Sequence, residues 1–245
     1  MWEMYDALLD GIDTDDRIQF VCAGESWVLL KAENGTMGVA AVQEGRNGAP
    51  LCSESFAGMP LPEAAALVKS WDFEKASLGL AAINSIYNCN ERFPDCGEAD
   101  AFLRYRDRAK GKKVGVVGRF PYLEKRLNPI CQLYVLERNP GAEDYPDSAC
   151  EYLLPEMDLV FITGCTVSNK TLPRLLQLSQ NAFTVLTGPS TPMSERMFEF
   201  GVDSLCGFCV TDEENAQLAA QNRQGIVTCG RMVCWEKSTV TGKIG

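Results

Sequence analysis

From Val114 onward the chain repeats one pattern, a short run of β-branched and aliphatic residues, then a turn, then a stretch of helical spacing. The runs fall at 114–117, 132–136, 159–163, 183–187 and 204–210. Strands separated by that much chain cannot close as hairpins, so they need crossovers, and crossovers build a parallel sheet with helices on both faces. In such a sheet a ligand cleft opens at the carboxyl ends of the strands. The residues just after each run are therefore the first candidates for function.

The chain ahead of this pattern reads differently. Apolar bursts at 18–23, 27–31 and 37–42 are separated by Gly24-Glu25 and Glu33-Asn34-Gly35, which predicts a three-strand meander with a tight turn at Asn34-Gly35. Two helices follow. Pro62 suits a first helical turn leading to Trp71, and Ala76, Leu80, Ile83 and Tyr87 are spaced for a helix over 73–87. The expected organisation is a smaller α+β domain at 1–90, a connector at 91–113 and an α/β domain at 114–245. The connector carries Pro94, Gly97 and 7 basic against 5 acidic side chains, read as a solvated helix leading into the next domain.

Charge and missing residue types narrow the chemistry. With 23 basic and 33 acidic side chains the net charge is −10, which argues against a nucleic-acid partner. No apolar run approaches the ~20 residues of a membrane span, and the acidic opening differs from a secretory signal, so a cytoplasmic protein with no membrane partner is expected. There is no histidine. Acids, bases and nucleophiles must come from carboxylates, Lys, Tyr, Cys, Ser or Thr, and imidazole metal sites are excluded. The odd number of cysteines, 11, favours reduced thiols over a disulfide framework. Cys206 and Cys209, with Cys229 and Cys234, could be drawn as a thiolate zinc site, but a C-x-x-C pair within a strand points to opposite faces and is read as buried apolar thiols. Asp10, Asp13, Asp15 and Asp16 lack the glycine and distal glutamate of a calcium loop and read as a solvated turn.

The strand ends supply the candidate site. Gly118 follows the first run without the full dinucleotide fingerprint, and Glu137 lies about 20 residues on, where a carboxylate can orient a hydroxyl or amine. The third run enters Thr163-Gly164-Cys165, then Asn169-Lys170-Thr171, and the fourth enters Gly188-Pro189-Ser190-Thr191-Pro192. Thr191 is expected to cap a helix starting at Pro192, with Gly164, Gly188 and Ser190 presenting backbone donors and Lys170 adding charge to an anion. Glu137 and Lys170 are the candidate proton carriers, and Cys165 the candidate soft-metal ligand.

Those loops, together with Val114 to Pro121 and the stretch Gly79-Leu80-Ala81-Ala82-Ile83-Asn84, resemble a family of bacterial and archaeal proteins named for heavy-metal chelation. The resemblance implies a Rossmann-like domain preceded by a smaller α+β domain similar to the amino-terminal domain of enolase, with a site between them that Asn84 faces. Two functional readings stay open. One is a protein, catalytic or not, that binds an anionic small molecule or metal complex in the interdomain cleft and acts in heavy-metal chelation or chelator metabolism. The other is a non-catalytic binder of soft metal through thiolates and carboxylates. The cofactor is open between a nucleotide-like or other anionic small molecule and a divalent soft metal. The expected partner is a small-molecule ligand, with a homodimer as the default assembly.

Overall fold

The computed structural model describes residues 2–43, 51, 53–93, 100–121, 123–222 and 225–237; Pro94 and Gly97 lie outside the described residues. Helix α1 (Glu3–Asp10), not expected from the sequence, leads into β1 (Ile18–Ala23), β2 (Trp27–Ala32) and β3 (Met37–Ala41), an antiparallel sheet in that order. Asn34 and Gly35 form its second turn, with Gly35 at φ +90° and Asn34 Oδ1 accepting the N–H of Thr36 at 2.8 Å. Asp10 closes α1, while Asp16 accepts the N–H groups of Arg17 and Asn34 at 2.8 and 3.3 Å, the behaviour of a turn. Helix α2 (Leu61–Ala66) tightens into a 3-10 turn at Leu67–Lys69, so it ends before Trp71. Helix α3 (Phe73–Tyr87) starts at Asp72, whose carboxylate accepts the N–H groups of Glu74 and Lys75 at 3.1 and 3.3 Å.

The rest of the chain builds the large sheet from β4 (Lys113–Val117), β5 (Gln132–Glu137), β6 (Tyr145–Pro146), β7 (Leu159–Thr163), β8 (Phe183–Thr187), β9 (Ser204–Val210) and β10 (Gly230–Glu236). Among the described residues it has seven strands in the order β10-β9-β8-β7-β4-β5-β6, all pairs parallel except β9 with β10. The chain winds outward from β4 to β6, returns to lay β7 beside β4, and winds outward the other way. The architecture is thus α/β, a mostly parallel sheet in doubly wound order preceded by a small antiparallel sheet. Its order reverses between β4 and β7, where such sheets open a crevice. The helices are α4 (Ala101–Arg104), α5 (Arg106–Ala109), α6 (Leu123–Leu127), α7 (Cys150–Leu153), α8 (Cys165–Ser168), α9 (Leu172–Leu178) and α10 (Glu213–Gln221).

Three apolar clusters make the core, and two of them join the two sheets. Val114, Val116, Phe161 and Val185 on one face of the large sheet pack under Phe102, Leu123 and Leu127. On the other face Val160, Ile162, Leu186 and Leu205 share a core with Tyr5, Val28, Leu30, Leu80 and Ile83 from the first part of the chain. Leu29 and Val39, on the opposite side of the small sheet, pack against Ala216, Ala219 and Ala220 of α10. The small sheet is covered on both faces, which is why Val28-Leu29-Leu30 is continuously apolar rather than alternating. The connector's basic residues are largely spoken for. Arg104 meets Glu236 at 3.4 Å, Lys113 meets Glu156 at 2.9 Å, and the Arg108 guanidinium lies 4.0 Å from the Phe183 ring centroid.

The expectation of reduced thiols is corrected at one place. Strand β10 was not foreseen, and its register sets Cys234 directly opposite Cys206, where the two form a disulfide with Cα atoms 4.1 Å apart. Cys206 and Cys209 do take opposite faces of β9, since they belong to different apolar clusters. Cys209 and Cys229 are buried and lie outside this disulfide.

Polar side chains cross the apolar junction at a few points. Asn88, 2% exposed at the end of α3, donates through Nδ2 to the carbonyls of Thr191 and Phe208 at 2.9 and 3.2 Å, and its Oδ1 accepts the N–H of Met193 at 2.9 Å. Tyr5 donates to the Val167 carbonyl at 2.9 Å. Replacing Asn88 by Leu keeps the bulk but strands three buried backbone groups. Urea denaturation of Asn88→Leu is expected to show a loss of about 3 kcal/mol, against under ~0.5 kcal/mol for an exposed substitution such as Glu63→Gln.

Candidate functional site

A cleft of about 760 Å³ opens beside the point where the sheet order reverses, at the carboxyl ends of β4, β5 and β7. Gly118, Arg119, Glu137, Arg138, Thr163, Cys165, Thr166, Asn169 and Lys170 line it from the large sheet, and Ala41, Val42 and Gln43 line it from the end of β3. Gly118 is required by its turn, because its φ is +95° and a Cβ there would meet Thr163 Cγ2 at 2.8 Å. The cleft thus holds Gly118, Glu137, Thr163, Cys165, Asn169 and Lys170 of the residues singled out from the sequence.

The others lie behind its wall. Asn84 is fully buried in α3 and donates to the Val39 carbonyl at 2.8 Å; it braces α3 against β3 and does not line the cleft. The backbone donors expected of Gly164 and Gly188 are consumed by the sheet, donating to the carbonyls of Thr187 at 2.8 Å and Cys206 at 3.0 Å. Thr191 caps no helix. Residues 191–194 run without regular structure, the following 3-10 helix starts at Glu195, and the Thr191 Oγ1 is buried without a partner. Ser190, 1% exposed, accepts the N–H of Ala41 through Oγ at 2.9 Å, so it ties the small sheet to the large one instead of facing ligand. Ser190 is used where the two sheets abut, Asn84 where α3 meets β3, and the Gly164 and Gly188 amides within the large sheet, so the fold takes these groups before a ligand can meet them. Gly164 is packed against the loop after β8, since a Cβ there would stand 2.4 Å from the Thr191 nitrogen. Gly164→Ala is expected to cost about 2 kcal/mol in chemical denaturation, because backbone must move to admit the methyl group.

Glu137 faces the cleft but is committed as an acceptor. Its Oε2 takes the N–H of Arg119 at 2.8 Å, and its Oε1 takes those of Arg138 and Asn139 at 2.7 and 3.3 Å. In a dinucleotide-binding protein the amides after the first strand meet a pyrophosphate; here an internal carboxylate has taken the Arg119 amide. A carboxamide cannot accept on both sides, so Glu137→Gln is expected to loosen both loops. Faster amide hydrogen exchange at Arg119 and Arg138 would show it; unchanged exchange would refute the acceptor role. The arginines of the cleft were not foreseen, although Arg119 and Arg138 directly follow Gly118 and Glu137. They are paired at the rim: Arg119 with Asp144 and Glu124, Arg138 with Asp147, and Arg174 with both oxygens of Glu151 at 2.9 and 2.5 Å.

Lys170 is different. It has φ +70°, the left-handed region that costs a residue with a side chain about 1 kcal/mol or more. Its half-buried ammonium donates to the Ser168 carbonyl and lies 5.6 Å from the Phe73 ring centroid, with no carboxylate in ion-pair contact among the described residues. Burial lowers its pKa from 10.5 to about 8. The conformation is held from both sides. Asn169 Oδ1 accepts the N–H and hydroxyl of Thr171 at 3.1 and 2.6 Å, and Asn169 Nδ2 donates to Gln43 Oε1 at 3.3 Å.

Because the folded pKa lies below the unfolded one, the charged amine costs stability in full below pH ~8, and the cost fades as pH rises from about 8 towards 10.5. Lys170→Met is expected to be more stable than the parent at pH 7, on the order of 1 kcal/mol after allowance for residual solvation. That difference should shrink by pH 10 in paired thermal melts.

A family model described as "Putative heavy-metal chelation", DUF364, matches residues 100–232, and a second with the same description, DUF4213, matches residues 5–87. The chain belongs to the DUF364 family. A DUF364 protein of unknown function from Desulfitobacterium hafniense has a crystal structure 40% identical in sequence, with a TM-score of 0.90 over 97% of this chain and 99% of that one. A second, from Pyrococcus horikoshii, shares the fold at 23% identity and a TM-score of 0.73, over 95% of this chain and 99% of that one. An uncharacterised protein of Methanocaldococcus jannaschii is 33% identical over 159 residues, spanning 62% of this chain and 61% of its own length.

The DUF364 description invites a test against the donor set. Among the described residues no three His, Cys, Asp or Glu side chains gather closely enough to hold a metal ion. Cys165 is half-buried, and its Sγ lies 3.7 Å from Ser190 Oγ. Cys150 also lines the cleft, but burial pushes its thiol up to about 12, which disfavours the thiolate a soft metal needs. These side chains do not make a protein cage for a heavy metal.

Proposed function

We propose that this DUF364 protein binds an anionic small molecule, including a metal held within an anionic chelate, in the cleft at the ends of β4, β5 and β7. The observation that carries the reading is Lys170: an ammonium held in a strained backbone conformation, half-buried, in a cleft whose arginines already have carboxylates. Strain and desolvation at one residue are unfavourable twice over, and an anionic ligand is the group that offsets the second. Thr163, Thr166 and Asn169 line the same wall. In this reading the metal is cargo, brought with its own ligands, because the described residues assemble too few donors to strip it. The first part of the chain, likened by family resemblance to the amino-terminal domain of enolase, closes one side through Ala41, Val42 and Gln43. If chemistry follows binding, it acts on a chelator-like metabolite with Lys170 as proton carrier, since Glu137 is held by backbone donors.

Thermal melts against citrate, phosphate and oligocarboxylate chelators, each with and without nickel, cobalt or zinc, test the proposal. A rise of several degrees with an anion or its metal chelate is expected, since only the folded chain binds it. The rise should vanish in Lys170→Met and survive in Lys170→Arg. An equal rise in Lys170→Met, or a rise with free metals alone, would overturn it.

A further inference from the structure

Lys170 differs chemically from six other lysines of the chain. Lys31, Lys69, Lys75, Lys110, Lys112 and Lys113 each meet a carboxylate, which holds the proton on the nitrogen. Lys170 has no such partner among the described residues, and its terminal nitrogen rests against a carbonyl oxygen and the Phe73 ring. Its burial favours the neutral amine, the form with a free electron pair. Its backbone is fixed by neighbours on both sides, Asn169 being tied to Gln43 across the junction and to Thr171 along the chain. Lys170 lines the cleft, and a desolvated, positioned amine beside a cleft is the arrangement that makes lysine a nucleophile towards carbonyl carbon.

We propose that Lys170 condenses with the carbonyl group of a ligand in this cleft, the substrate class being an aldehyde or ketone that carries a carboxylate. The inference rests on the anion-binding reading and names its chemistry. The neutral Nζ attacks the carbonyl carbon, a C–N bond forms, and the carbonyl electron pair moves to oxygen. The carbinolamine then expels that oxygen as water, which carries both hydrogens of the amine, and the imine nitrogen takes a proton from solvent. Nothing is oxidised or reduced. The protonated imine retains the positive charge, so the ligand's carboxylate keeps its counter-ion after the bond has formed. A simple metal chelator such as citrate would occupy the same place without reacting.

The test uses the whole chain with glyoxylate as probe and cyanoborohydride to reduce any imine to a stable secondary amine, followed by peptide mass spectrometry. Labelling at Lys170 is expected to exceed that at Lys110 and Lys75 by about tenfold or more, because those amines are exposed and ion-paired. Citrate in excess should protect Lys170 and leave the other two unchanged. Labelling of Lys170 no faster than of Lys110, or without protection by citrate, overturns the proposal. Lys170→Arg separates this from the underlying reading: it keeps the charge and cannot form the imine. If citrate still raises the melting temperature of Lys170→Arg while the parent shows no preferred adduct, anion binding stands and the nucleophile falls. If citrate and the chelators raise neither protein's melting temperature, both fall.

Discussion

The carboxamide of Asn88 satisfies two carbonyls and one N–H from the loop after β8 and from β9, inside a junction where water has no access. Apolar burial holds the two sheets together with little regard for register, since hydrophobic attraction has no direction. A buried carboxamide does have direction, because leaving any of its partners unpaired costs a large part of the net stability of a domain. Asn88, Ser190 and the Asn169–Gln43 pair therefore set how the small sheet sits on the large one. The cleft is a consequence of that setting, because the end of β3 forms one of its walls.

Within the cleft the electrostatics are uneven. Arginines at the rim are neutralised by neighbouring carboxylates, and Glu137 is absorbed by the amides of two loops. That leaves Lys170 as the charged group with the least compensation, in a backbone conformation that most lysines avoid. Local disagreement of this kind between a residue and its surroundings is expected where function has been favoured over stability. A dinucleotide reading finds little support at the same place, because the amide that would meet a pyrophosphate is already bonded to Glu137.

Much of the strand pattern was legible. Helix α3 and strands β1, β7, β8 and β9 fall where their apolar spacing and flanking turns put them, and the other foreseen strands differ by a residue at an end. Strand β10 was missed, and with it the pairing of Cys206 with Cys234, because an antiparallel edge strand of mixed polarity has no distinctive period. Half of the candidate site was legible for the reason that a doubly wound sheet puts strand ends at its crevice. Gly118, Glu137, Thr163, Cys165, Asn169 and Lys170 follow from that rule alone.

Asn84, Gly164, Gly188, Ser190 and Thr191 could not be placed the same way. Small and polar residues suit a ligand and internal packing equally well, and only the packed chain shows that Ser190 serves the junction of the sheets, Asn84 the contact of α3 with β3, and Gly164 and Gly188 the large sheet. What the sequence by itself determined was the order of strands and helices, and so the sheet and the location of its crevice, because hydrophobic period and turn chemistry are local properties. Which polar groups remain free to meet a ligand was decided by tertiary structure, because hydrogen-bond partners distant in the chain claim them first.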